Sequence, residues 1–122
     1  CSAALAVMDV FEQEDIVSKA SVLGTKLRSH FDILQKEFEI IGDVRGKGPM
    51  LALELVNDRE TKEPAAERAK ALVKYCVDHG LILLSCGTYG NVIRTLMPLV
   101  ITDEQLNRGI SIIRDGLQSI TR

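Results

Sequence analysis

The stretch Val44-Arg45-Gly46-Lys47-Gly48-Pro49-Met50-Leu51-Ala52-Leu53-Glu54-Leu55-Val56 decides how this chain folds. In it Leu51, Leu53 and Leu55 alternate with Ala52, Glu54 and Val56, a period of two that belongs to strands. Ile40-Ile41 leads into Gly42-Asp43-Val44-Arg45, and the turn Gly46-Lys47-Gly48-Pro49 separates the two extended runs. Two such runs around a Gly/Pro-rich turn predict an antiparallel hairpin.

Upstream the period is 3.6. Ile16, Ala20, Leu23, Leu27, Phe31, Leu34 and Phe38 recur at steps of three and four, one apolar stripe along a helix, with Lys19, Lys26, Arg28 and Lys36 left for solvent. Gly24 weakens that helix by about 1 kcal/mol without breaking its pattern. Residues 2–12 form a shorter preceding helix, or its continuation, with Leu5, Met8 and Phe11 on one face. A helix opening at Cys1 with no cap in front of it reads as cut from a longer chain, just past a domain junction.

Downstream, Asn57 to Glu63 is a charged loop. Pro64 suits a first helical turn, and Ala65, Ala69, Leu72, Val73 and Cys76 form an inward row ending at Gly80, a residue favoured just past a helix end. Leu81-Ile82-Leu83-Leu84 is apolar on both faces, as a central strand or a buried segment would be. After the turn Gly87-Thr88-Tyr89-Gly90, Asn91 to Leu96 reads as another strand. Thr102 and Gln105 have capping-box spacing for a last helix, whose inward row is Leu106, Ile110, Ile113, Leu117 and Ile120. The expected fold is α+β: a two-layer sandwich with a small, mostly antiparallel sheet of three to four strands covered by helices, in a single domain over residues 1–122.

Composition narrows the function. The chain has 122 residues, 46% hydrophobic and 26% charged, with a formal net charge of −2. A near-neutral charge lacks the electrostatic footprint of a nucleic-acid binder, and 4% aromatics with no Trp make a poor base-stacking platform. The apolar run Ala3 to Met8 meets Asp9 too soon for a signal peptide or a membrane span. Cys1, Cys76 and Cys86 are an odd count at irregular spacing, which points away from a disulfide framework and toward a reducing, cytoplasmic compartment. Cys76, His79 and Cys86 match no zinc-ligand spacing and lack a fourth ligand, so no metal is expected.

Arg94 is the sharpest candidate site residue. On Val92-Ile93-Arg94-Thr95-Leu96 it shares a face with Val92 and Leu96, where a guanidinium must lie open or meet an anion. Arg suits bidentate carboxylate recognition, and the preceding Gly-flanked loop carries Tyr89 and Asn91. Spacing alone nevertheless favours an edge-strand arginine paired with a surface glutamate. The Arg45-Gly46-Lys47-Gly48 turn fits no phosphate loop, since Gly48 and a strand follow Lys47 where Ser/Thr and a helix are required. Glu54 is expected to face solvent or to pair with a cation on a neighbouring strand. No lysine falls in a desolvated position suited to Schiff-base chemistry, and no catalytic residue is assigned.

The segments Val44–Glu54, Gly80–Leu84 and Gly90-Asn91-Val92-Ile93-Arg94-Thr95-Leu96-Met97-Pro98-Leu99-Val100-Ile101-Thr102 together resemble class III (ornithine/4-aminobutyrate type) aminotransferases, specifically their C-terminal small domain. Ser2-Ala3-Ala4-Leu5-Ala6-Val7 looks like the helix after that family's Gly-Asn-Pro segment, so the resemblance covers essentially the whole chain. Leu83-Leu84-Ser85-Cys86-Gly87 and Tyr89–Arg94 are most similar to bacterial 4-aminobutyrate aminotransferases. The resemblance implies pyridoxal phosphate as cofactor and transfer of an amino group from 4-aminobutyrate or a similar ω-amino acid to 2-oxoglutarate, giving succinate semialdehyde and glutamate. It also implies that Arg94 binds the α-carboxylate of glutamate or 2-oxoglutarate, and that Arg45, Gly46 and Gly48 are mainly structural. The implied partners are amino and 2-oxo acids, the family's own large domain, and a second copy in a homodimer. The cofactor lysine, the aspartate facing the pyridine nitrogen and the phosphate cradle belong to that large domain, so these residues alone are expected to be inactive and not to hold the cofactor. A stand-alone amino-acid-binding module and a dimerisation module are the competing readings.

Overall fold

The computed structural model describes residues 1–121. Four helices, α1 (Ser2–Gln13), α2 (Ile16–Glu37), α3 (Ala66–Asp78) and α4 (Asp103–Thr121), accompany four strands, β1 (Ile41–Lys47), β2 (Met50–Leu55), β3 (Leu84–Cys86) and β4 (Val92–Arg94). The strands form one antiparallel sheet in the order β1-β2-β4-β3. This is the expected α+β sandwich, with α2, α3 and α4 closing a single core over one face of the sheet. Among the described residues no helix is long and apolar enough to cross a membrane.

The α2 stripe behaves as its spacing requires: Leu23, Leu27, Phe31 and Leu34 are buried, while Ile16, Ala20 and Phe38 at its ends are partly covered. Its C-terminal carbonyls find an unforeseen partner in Arg59, which donates from its guanidinium to the carbonyls of Gln35 (2.5 Å), Phe38 (3.0 Å) and Glu39 (3.0 Å). Of these, the Gln35 carbonyl lies in the last turn of α2, and a cation at this end also complements the negative end of the helix dipole. Helix α4 opens on the anticipated capping box: the Gln105 backbone N–H donates to Thr102 Oγ1 (3.2 Å), and the Thr102 N–H donates to Gln105 Oε1 (3.0 Å). Helix α3 closes in a Schellman arrangement, with the Leu81 N–H on the Cys76 carbonyl, the Gly80 N–H on that of Val77, and Gly80 at φ 86°.

Several expectations need correction. Helix α1 is present, but none of its residues is buried, and Leu5, Met8 and Phe11 all face solvent. It is no continuation of α2, because Asp15 takes a left-handed conformation (φ 48°) between them. Pro64 does not start α3; it pairs with Val56 in an isolated bridge, and the helix begins two residues later. The β1–β2 turn is tighter than expected, with Gly46 and Lys47 already in β1, leaving Gly48-Pro49 as the connection. Leu81–Leu84 is neither a central strand nor a buried segment: only Leu83 is buried, Ile82 is 82% exposed, and Leu84 opens the edge strand β3. β4 is likewise shorter than Asn91–Leu96: it spans Val92–Arg94, with Asn91 and Thr95 each making one further backbone bond to β2.

Candidate functional site

Alternation sorts the sheet into two faces. Leu51, Leu53, Leu55 and Ile93 point into the core. The opposite face carries Asp43 and Arg45 from β1, Ala52 and Glu54 from β2, Val92 and Arg94 from β4, and Leu84 and Cys86 from β3, since a strand's side chains alternate. Register lines up two rows across it. Arg45, Ala52, Arg94 and Leu84 stand opposite one another in turn, as do Asp43, Glu54, Val92 and Cys86.

Buried polar side chains hold β4 at both ends. The Asn91 Nδ2 donates to the Leu55 carbonyl (2.8 Å), and the Leu55 N–H returns a bond to the Asn91 carbonyl (2.8 Å). Past Arg94, the Thr95 N–H donates to the Leu51 carbonyl (2.9 Å), and its hydroxyl lies 3.1 Å from the carbonyls of both Pro49 and Leu51. Asn91 is 2% and Thr95 5% exposed, so these bonds are made away from competing water. Arg94 therefore projects from a segment clamped on either side. The sequence reading missed Thr95; its signal is a hydroxyl at an inward position of an otherwise apolar alternation.

The two strand arginines differ electrostatically. Arg45 pairs with Asp43 at 2.8 Å and with Glu54 across the hairpin, and the hydrogen bonds it donates to Asp43 first and Glu54 second raise its pKa. Glu54 thus has the neighbouring-strand cation expected of it. Arg94 is exposed and has no carboxylate partner among the described residues. Nor is it on an edge strand, because β4 lies between β2 and β3. The reading favoured by spacing, an edge-strand arginine paired with a surface glutamate, is therefore wrong on both counts.

Other candidates do not converge on this face. Cys76 is fully buried in α3, where desolvation pushes its thiol up to about 11, so it stays a neutral packing group. His79 caps α3 and stacks on Tyr75 with ring centroids 4.0 Å apart. Among the described residues no three His, Cys, Asp or Glu side chains gather to hold a metal ion. Every lysine is exposed. An apolar cavity of about 330 Å³ between α2, α4 and the β3–β4 end is lined by Leu27, Leu83, Leu106 and Ile110, with Arg94 and Thr95 also contributing.

Residues 1–117 match the family model described as aminotransferase class-III. The chain is 46% identical to the 5-aminovalerate aminotransferase DavT of Pseudomonas aeruginosa over 94% of its own length and 27% of that protein's. It is 47% identical to the 4-aminobutyrate aminotransferase GabT of Escherichia coli over 93% of this chain and 26% of that one. A Bacillus anthracis aminotransferase superposes with a TM-score of 0.88 at 30% identity, covering 98% of this chain and 28% of the other. The chain thus spans about a quarter of the length of the curated relatives it matches.

Proposed function

Because the chain belongs to the class III aminotransferases, we propose that it forms the C-terminal small domain of a pyridoxal-phosphate-dependent transaminase. The proposed reaction moves an amino group from 4-aminobutyrate or a similar ω-amino acid to 2-oxoglutarate. The relatives' names support an ω-amino donor: one is a 5-aminovalerate and another a 4-aminobutyrate enzyme. The observation that carries the site assignment is Arg94, a guanidinium without a carboxylate partner among the described residues, on a clamped central strand of the open sheet face. Its planar fork suits a carboxylate. In this reading Arg94 binds the α-carboxylate of glutamate or 2-oxoglutarate and so fixes the pose of the reacting end.

The residues present do not make a cofactor site by themselves. A lysine that joins an aldehyde needs desolvation to lower its pKa, and every lysine here is exposed. Holding pyridoxal phosphate is therefore assigned to the large domain of the family, which is the first partner of this reading; a second copy of the chain is the other. The apolar side chains that α1 exposes, among them Leu5, Met8 and Phe11, support a covering partner. Borohydride reduction of the chain mixed with pyridoxal phosphate is expected to give only scattered, substoichiometric lysine adducts by peptide mapping. One stoichiometric adduct at a single lysine would overturn the assignment of the cofactor to another domain.

Calorimetric titration tests the role of Arg94. With 2-oxoglutarate the chain is expected to give a weak, saturable heat, and Arg94→Ala to lower the affinity about fivefold, the upper end for a solvent-screened ion pair. An unchanged affinity in the variant would remove Arg94 from the site. Self-association with no ligand heat is the result a purely structural dimerisation domain would give.

A further inference from the structure

Glu54 stands between two arginines. It is opposite Val92 on β4 and Asp43 on β1, which makes it the diagonal neighbour of both Arg94 and Arg45 on the same open face. Diagonal cross-strand positions lie about 7–8 Å apart, within reach of long side chains. Ala52, opposite both Arg45 and Arg94, puts only a methyl group between the two guanidinium groups. Glu54 is nevertheless engaged by Arg45, which also binds Asp43, and Arg94 is left unpaired among the described residues.

From this we infer that Arg45 is a positioning residue for substrate recognition: by holding Glu54, it keeps that carboxylate off Arg94. The inference rests on Arg94 being the carboxylate-binding residue and adds how its charge stays available. A free Glu54 would be an intramolecular competitor, a carboxylate tethered on the adjacent strand at high effective concentration. Asp43 is one strand further from Arg94 and serves as the second anchor of Arg45.

The test uses this 122-residue chain, 2-oxoglutarate as probe, and the Arg94 Nε–Hε resonance as an additional readout without ligand. Arg45→Met is expected to shift that resonance in the absence of ligand as Glu54 swings onto Arg94, and to weaken 2-oxoglutarate binding two- to threefold. Arg45→Lys, which keeps a cation for Glu54, is expected to stay near the wild-type affinity. Adding Glu54→Gln to Arg45→Met is expected to restore both signals, whereas adding Asp43→Asn is not. The last pair separates direct competition from a general field effect, because both double variants remove the same charge. The inference is overturned if Arg45→Met leaves the resonance and the affinity unchanged, or if Asp43→Asn restores as well as Glu54→Gln. An Arg94→Met chain that binds 2-oxoglutarate like the wild type, or a wild-type chain that does not bind it, defeats the underlying assignment of Arg94 instead. The ligand-free resonance still decides the Arg45–Glu54 relation in that case.

Discussion

Gly24→Ala is expected to lower the stability of this chain by about 3 kcal/mol, the upper end of the usual cost of overpacking. Helix propensity alone predicts the opposite, a gain of about 1 kcal/mol for replacing an interior helical glycine. Space decides the sign. A Cβ on Gly24 would lie 2.4 Å from the carbonyl carbon of Gly48, 2.5 Å from its Cα and 2.7 Å from its oxygen. Those are backbone atoms of the β1–β2 turn, and Gly48 is itself held at φ 56°, so no flexible side chain can move aside. The two glycines are needed for different reasons: Gly48 for its backbone angle, Gly24 for the close approach of helix to turn. Urea unfolding followed by circular dichroism reads the difference directly. A rise in the midpoint would show that the helix and turn can separate at little cost.

The second large effect is expected at Phe31, the bulkiest of the fully buried side chains. Phe31→Ala removes an aromatic ring from the α2 stripe where Leu27 and Leu34, one turn to either side, are also buried. Lost transfer energy and the cavity left behind together cost about 3–5 kcal/mol. Against a total stability of about 5–15 kcal/mol for a domain of this kind, that is enough to populate the unfolded chain measurably. The same unfolding experiment should show a lower midpoint with an unchanged denaturant slope. A loss below about 1 kcal/mol would mean that the core collapses into the space, contrary to the packing described.

How much of this was legible beforehand depends on how local the cause is. The α2 stripe, the Thr102–Gln105 capping box and the stop at Gly80 were readable because each is set within a turn or two of the chain. The hairpin was readable for the same reason, although the turn proved tighter. The Arg59 cap on α2 was not, because it joins residues 20 or more positions apart through a loop that looked merely charged. Leu81–Leu84 misled because an apolar run states a need for cover without saying what supplies it. Helix α1 misled similarly: its residues form a helix from local preference, and no local rule says that none of its face is buried within the described residues.

The site divides in the same way. Residue type and alternation by themselves placed Arg94 on a strand as a cation needing an anion or solvent, and resemblance added the class of anion. Only the tertiary structure decided that β4 lies inside the sheet, that Asn91 and Thr95 clamp it, and that Glu54 is engaged by Arg45. The physical reason is register. A period of two determines which side chains share a face along one strand, but partners across strands depend on pairings between residues some 40 positions apart. What this sequence determined alone was a set of amphipathic elements and one arginine whose partner it did not name; the sheet order left that arginine unpaired among the described residues, beside a glutamate held by another.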